Sequence, residues 1–139
     1  MDHPDNDIPQ IAAINHVSIT VTDIARSLPW YRDILGLVNL LEEEHADGSG
    51  QYVVLGKPDW SMCVGLHTHA ANERERFSES RTGLDHLSFF VPARADLDAW
   101  EARLAEYGVE HSPVNDQPNY SVLVFRDPDN VQLEFISMG

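Results

Sequence analysis

The sequence predicts an α+β fold built from two tandem βαβββ modules. Identical residues recur at a fixed spacing of seventy: His16 with His86, Ser18 with Ser88, Val21 with Val91, Trp30 with Trp100, Pro58 with Pro128 and Asp59 with Asp129. Recurrence at one offset suggests an internal duplication of a unit of roughly sixty residues. Each copy opens on a strand-like alternation, continues with apolar residues at helical spacing, and ends in three short apolar runs separated by turn residues. With 139 residues, 42% hydrophobic and 23% charged, the chain has the balance of a soluble globular protein and the length for a single core.

Taken in order, residues 1–10 (MDHPDNDIPQ) are polar and acidic and are expected to be a disordered tail ahead of a single domain, 11–139. The first module, 11–70, begins with a strand over Ile14 to Thr22. Its helix can be capped by Asp23, its Trp30, Ile34 and Leu37 face one way, and Gly36 ends it; Pro29 either kinks it or delays its start to Ser27. Strands over Val38–His45, Gln51–Gly56 and Ser61–His67 follow, split by the turn signals DGSG and GKPD. The highly charged stretch 71–82 links this module to the second, 83–138. There the opening strand is Leu84 to Val91, and Leu97, Trp100, Leu104 and Tyr107 form one helical stripe ended by Gly108. The closing strands are Val109–Asn115, Ser121–Arg126 and Val131–Ser137.

A formal net charge of −14 argues against nucleic acid as a partner, since a polyanion would be repelled. No apolar run reaches the ~20 residues that cross a bilayer, and the N-terminus is not that of a signal peptide, so the expected location is cytoplasmic with no membrane partner. Cys63 is the one cysteine and sits in the apolar run MCVGL, which reads as a buried small side chain rather than a metal ligand.

The duplicated histidines carry the chemistry. Strand alternation places Ile14, His16, Ser18 and Thr20 on one face and Val17, Ile19 and Val21 on the other, which the helix must cover. The same count sends His86 and Ser88 to the matching face, and in VQLEFIS it sets Glu134 beside Gln132 on the less apolar side. Two imidazoles and a carboxylate on rigid strands suit a divalent metal with coordination positions left open. A substrate with adjacent oxygens could chelate such an ion, which would stabilise a developing enolate or oxyanion.

At these residues the chain resembles the vicinal oxygen chelate superfamily, which includes glyoxalase I, extradiol dioxygenases, fosfomycin-modifying enzymes and bleomycin resistance proteins. The resemblance spans about Ile11 to Met138 and rests on INHVSITVTDI with WYRDILGL, on GLDHLSFFV and on VLVFRDPDNVQLEF. It implies paired βαβββ modules in an open barrel-like mixed sheet with helices outside, a homodimer, and metal ligands at His16, His86 and Glu134. The metal would be Fe2+, Mn2+, Zn2+, Ni2+ or Mg2+, because the ligands alone do not fix the ion. A fourth ligand, used by the glyoxalase I and epimerase branches, would fall on Gly65 or Val64, and neither can bind a metal. His67 lies on the same face as Gly65 and is either an acid–base group near the open positions or an exposed strand end; His69 follows it. The tyrosine of the ring-cleaving branch falls on Val124, with Tyr120 four residues earlier, and Asn130 stands where the family often has glycine. A fosfomycin-type transferase, with Ser18 as a hydroxyl contact, would need a cationic pocket that nine Lys plus Arg supply poorly.

The resulting expectation is a metal-dependent enzyme of the glyoxalase/dioxygenase type, a dioxygenase or a lyase or isomerase, acting on a small molecule. His67 is its candidate catalytic group, and Ser18, His69 and Tyr120 are candidate substrate contacts. The alternative is a metal-free sequestering protein of the bleomycin-resistance type, for which the acidity favours a cationic ligand.

Overall fold

The computed structural model describes residues 7–139. Its order is β1 (Val17–Thr20), α1 (Ile24–Asp33), β2 (Val38–Glu44), β3 (Gln51–Gly56), β4 (Cys63–His67), β5 (Leu87–Phe90), α2 (Arg94–Glu106), β6 (Asn115–Asp116), β7 (Ser121–Arg126) and β8 (Gln132–Ser137). This is βαβββ twice. Each module forms its own four-stranded mixed sheet, ordered β1-β4-β3-β2 and β5-β8-β7-β6, with the first strand parallel to the last. Most of the expected tail, 1–10, lies outside the described residues; residues 7–10 are exposed and form neither helix nor strand.

Several expected boundaries move. The opening strands are short, so His16 and His86 stand immediately ahead of β1 and β5 rather than inside them. Helix α1 starts at Ile24, not near Ser27, despite Pro29 within it. The Asp23 side chain accepts a hydrogen bond from Ala25 N at 3.0 Å, a cap worth about 1 kcal/mol that fixes the start upstream of the proline. The expected strand Val109–Asn115 shrinks to β6. Pro113 has no N–H to pair, and residues 110–112 touch β7 only through scattered bonds such as Ser112 N to Val124 O at 2.8 Å.

One core runs through both modules. Ile19, Val21, Leu55 and Leu66 from the first sheet join Leu123, Phe125, Leu133 and Phe135 from the second, under Leu97 and Leu104 of α2. Each fully buried leucine contributes roughly 2 kcal/mol by removing its side chain from water. The duplicated tryptophans both stack on phenylalanines of the second sheet, Trp30 across the modules on Phe125 of β7 with centroids 6.3 Å apart and Trp100 within its own module on Phe135 of β8 at 4.3 Å. Tyr31 is the fully buried aromatic of α1. Tyr107, expected on the apolar stripe of α2, is half exposed under the Arg103 guanidinium. Arg103 also donates to the carbonyls of Ile34 and Asp33 at 2.7 and 2.8 Å, closing the C-terminal end of α1 from the other module.

The β7–β8 turn is the second clasp between modules. Asp127 accepts from the Tyr31 hydroxyl at 2.7 Å, while Asp129 accepts from Thr22 N, Thr22 Oγ1 and Arg26 Nη2. Segment 71–82 docks on the same turn through Phe77 N to Asp129 O and an Arg126–Glu79 ion pair that holds the Glu79 carboxyl down at about 2. Among the described residues, no helix is long and apolar enough to cross a membrane.

Candidate metal centre

With the helices covering one side, each sheet leaves an open face. On β1, Ser18 and Thr20 are exposed while Ile19 is buried; on β5, Ser88 and Phe90 are exposed and Leu87 and Phe89 pack inward. Glu134 lies on the open face of β8, and β5–β8 register puts it directly opposite Ser88. In the first module the equivalent partner of Ser18 is Gly65. The Gly56–Cys63 connection is one residue longer than Arg126–Gln132, which moves the equivalence off the strict offset of seventy and selects Gly65 over Val64.

His86 and Glu134 come together, with Nε2 and Oε1 3.7 Å apart. The other ring nitrogen of His86, Nδ1, is 2.7 Å from Asp85 Oδ1. His16 repeats the device, with Nδ1 2.7 Å from Asn15 Oδ1. A carboxylate or amide oxygen on Nδ1 fixes the proton there and leaves the Nε2 lone pair free, the arrangement common to metal-binding histidines. Sequence reasoning missed these partners because Asn15 and Asp85 are not identical, although both place an oxygen acceptor before a histidine at the same offset.

His16 does not join the other two within one chain. It lies on the face of the first module, near enough to His67 to disfavour its protonation. Burial is the larger cause there: it lowers the His67 pKa, and His45, His69 and His16 lower it further. The described histidines whose donor atoms all lie within 4.8 Å of one another are His45, His67 and His69. His45 carries no mark in the sequence that singles it out.

Gly65 gives His67 its place. A Cβ at Gly65 would lie 2.5 Å from Ser18 Oγ and 3.4 Å from His67 Nε2, so these two side chains occupy the space a residue there would fill. Ser18 and His69 line a cleft of about 730 Å3 with Thr20, Phe77 and Asp129. Tyr120 is outside it, exposed on the β6–β7 hairpin. Val124 is paired directly with Glu134, so an aliphatic side chain stands beside the carboxylate.

The family model of the Glyoxalase/Bleomycin resistance protein/Dioxygenase superfamily matches residues 13–135. The chain belongs to this superfamily. A crystal structure described as a glyoxylase/bleomycin resistance protein/dioxygenase domain from Frankia sp. EAN1pec superposes with a TM-score of 0.85 at 34% identity, covering 94% of this chain and all of that one. The "Putative ring-cleaving dioxygenase MhqA" of Bacillus subtilis is 23% identical over 123 residues, 88% of this chain and 39% of that protein. The chain thus spans about two fifths of the length of that relative. "Metallothiol transferase FosB" of Staphylococcus haemolyticus is 29% identical over 126 residues, 89% of this chain and 82% of the relative. This superfamily member therefore has enzymes among its relatives, of more than one reaction type.

Proposed function

We propose that this superfamily member is a metal-dependent enzyme acting on a small molecule with two adjacent oxygens, its centre assembled from His86 and Glu134 of one chain and His16 of a second copy. The observation that carries the reading is the His86–Glu134 pair. Its 3.7 Å separation is too long for a hydrogen bond, while Asp85 already holds the imidazole by its other nitrogen. Two ligands of one ion stand about 3 Å apart, so a small side-chain movement completes the fit. His16 has the same Nδ1 restraint but sits on the other module, and a twofold that lays the first module of one chain against the second module of its partner supplies it. Exposed apolar residues in the two opening segments, Ile14 at 86% and Phe90 at 66%, favour such a homodimer.

A divalent ion held by this donor set supplies Lewis-acid stabilisation of an oxyanion or enolate. The chain's own side chains do the rest. Ser18 offers a hydroxyl contact on the same face, and His67 Nε2, beside the bare Gly65, takes or gives a proton. His69 lines the cleft beside Ser18, while Tyr120, exposed on the β6–β7 hairpin, is no part of that lining. With Val124 beside Glu134, the position that holds a tyrosine in the ring-cleaving branch carries no phenol here, so a lyase or isomerase step fits these residues better than ring cleavage.

Metal analysis of untagged protein tests the reading. His16→Ala and His86→Ala should each lose the ion of this centre, and mixed, refolded together, they should recover about a quarter of the metal so lost, because half of the dimers carry one intact site. Recovery of nothing, with both variants still dimeric, would refute the two-chain centre. Wild-type protein that takes up no metal on reconstitution would favour metal-free sequestration of a cationic molecule, and oxygen consumption with catechol-like substrates would restore the dioxygenase alternative.

A further inference from the structure

We propose that His45, His67 and His69 form a second metal site, separate from the His16/His86/Glu134 set, that takes a borderline divalent transition ion such as Zn2+ or Co2+. Two of its ligands come from one extended segment. His67 and His69 are two residues apart, so their imidazoles project from the same side, the spacing at which a strand offers two nitrogens to one ion. The third arrives from the β2–β3 hairpin. His45 lies just past β2, which is two strands away from β4 in the sheet, and the hairpin must curl over to bring it in.

That curl is built into the backbone. His45 N donates to Gly50 O at 2.8 Å, Gly48 N to His45 O at 2.9 Å and Ala70 N to Ser49 O at 2.6 Å. Gly50 permits the approach, since a Cβ there would lie 1.9 Å from the backbone oxygen of Thr68. The three histidines are therefore positioned by the fold before any ion binds.

The donor atoms point inward. His45 Nε2 and His67 Nδ1 are 3.0 Å apart, and all three residues offer a nitrogen within 4.8 Å of the others. Nitrogens bound tetrahedrally at about 2.0–2.1 Å stand about 3.4 Å apart, inside that range. His45 has its remaining nitrogen, Nδ1, 3.4 Å from Ser49 Oγ, the kind of outer contact that orients a ligand. Among the described residues no carboxylate bonds to any of the three rings, and the nearby Glu43 is engaged by the Tyr52 hydroxyl. Neutral imidazoles each offer one lone pair, and with no anion bonded to the three rings an ion can take the place of the proton that His45 Nε2 and His67 Nδ1 otherwise share.

Three protein ligands leave one position open, as in zinc sites that bind or activate a small molecule rather than only hold the fold. Here His69 lines the cleft that also holds Ser18, so the open position faces the same space. The proposed site uses Nδ1 of His67 and leaves Nε2 toward Gly65 and Ser18, so with the ion bound that nitrogen carries the ring's proton and serves there as a hydrogen-bond donor rather than a base.

The test is a Co2+ titration of the full chain, stripped of metal, followed by the visible absorption of the bound ion. Wild type should bind two equivalents per chain. His45→Ala and His69→Ala should each lose one equivalent together with the intense four-coordinate absorption, while His86→Ala loses the other and keeps that absorption. Binding of one equivalent that survives His86→Ala but not His45→Ala would support this site and refute the triad. Cobalt content and spectrum unchanged in both His45→Ala and His69→Ala would overturn the proposal. His69 is exposed, so His69→Ala decides the matter where His45→Ala fails to fold.

Discussion

Replacing Asp127 with asparagine should change how stability depends on pH. Asp127 is 6% exposed, with Oδ2 accepting from the Tyr31 hydroxyl and Oδ1 from the N–H groups of Asp129 and Val131. Burial pushes its carboxyl up from 3.8 to about 6, assisted by the charge of Asp129 and opposed by those hydrogen bonds. A folded-state value above the unfolded one means that the contribution is fully present below pH 3.8 and is lost as pH rises through about 6. The gap of about 2 pH units corresponds to about 3 kcal/mol in total, of which about 2 kcal/mol falls between about pH 4.5 and 7.5. The asparagine side chain does not ionise, yet its amide oxygen can accept the same two backbone bonds. Urea unfolding of both proteins across that interval should therefore show the wild type losing about 2 kcal/mol relative to Asp127→Asn as pH rises. A stability difference constant across that range would refute the reasoning. A wild type that gains on the variant with rising pH would mean that the hydrogen bonds outweigh burial and favour the carboxylate.

Three further outcomes follow from local geometry. Gly50→Ala should destabilise by about 3 kcal/mol or prevent folding, read from the urea midpoint, because the clash is with backbone rather than with a movable side chain. Trp60 adopts φ 63° in a turn whose second copy carries Asn130 at φ 70°, so Trp60→Asn should raise stability by up to about 1 kcal/mol in the same assay. Asp85→Ala should weaken metal binding at the proposed His86 centre by about 10- to 100-fold in a competition titration while leaving the fold intact, since it removes the hydrogen bond that orients the imidazole and, besides that, only a long, exposed contact from Gln132.

Much of this is legible in the chain because repetition and alternation are local signals. The period of two puts His16, Ser18 and Thr20 on one face, and β3 and β7 begin and end where the apolar runs and turn residues say they should. The start of α1 is harder to read, because Pro29 is a conspicuous breaker and the Asp23 cap that overrides it is a single side chain. Val109–Asn115 reads as a strand on composition, and only the missing N–H of Pro113 explains why the pairing stays partial. His45 cannot be found by spacing. Its proximity to His67 depends on a hairpin that bends over its own sheet, which no periodicity reports. Whether His16 meets His86 depends on how sheets are arranged in space, and the two copies carry no mark of that.

Gly65 marks where the two halves of the repeat part company. The halves keep one backbone plan, but where the second has a glutamate the first has no side chain, and Ser18, with a histidine two positions along beside it, borders that place instead. The repeat is symmetric as architecture and asymmetric as chemistry. A carboxylate on one half alone leaves the matching face of the other free to carry different side chains on the same scaffold.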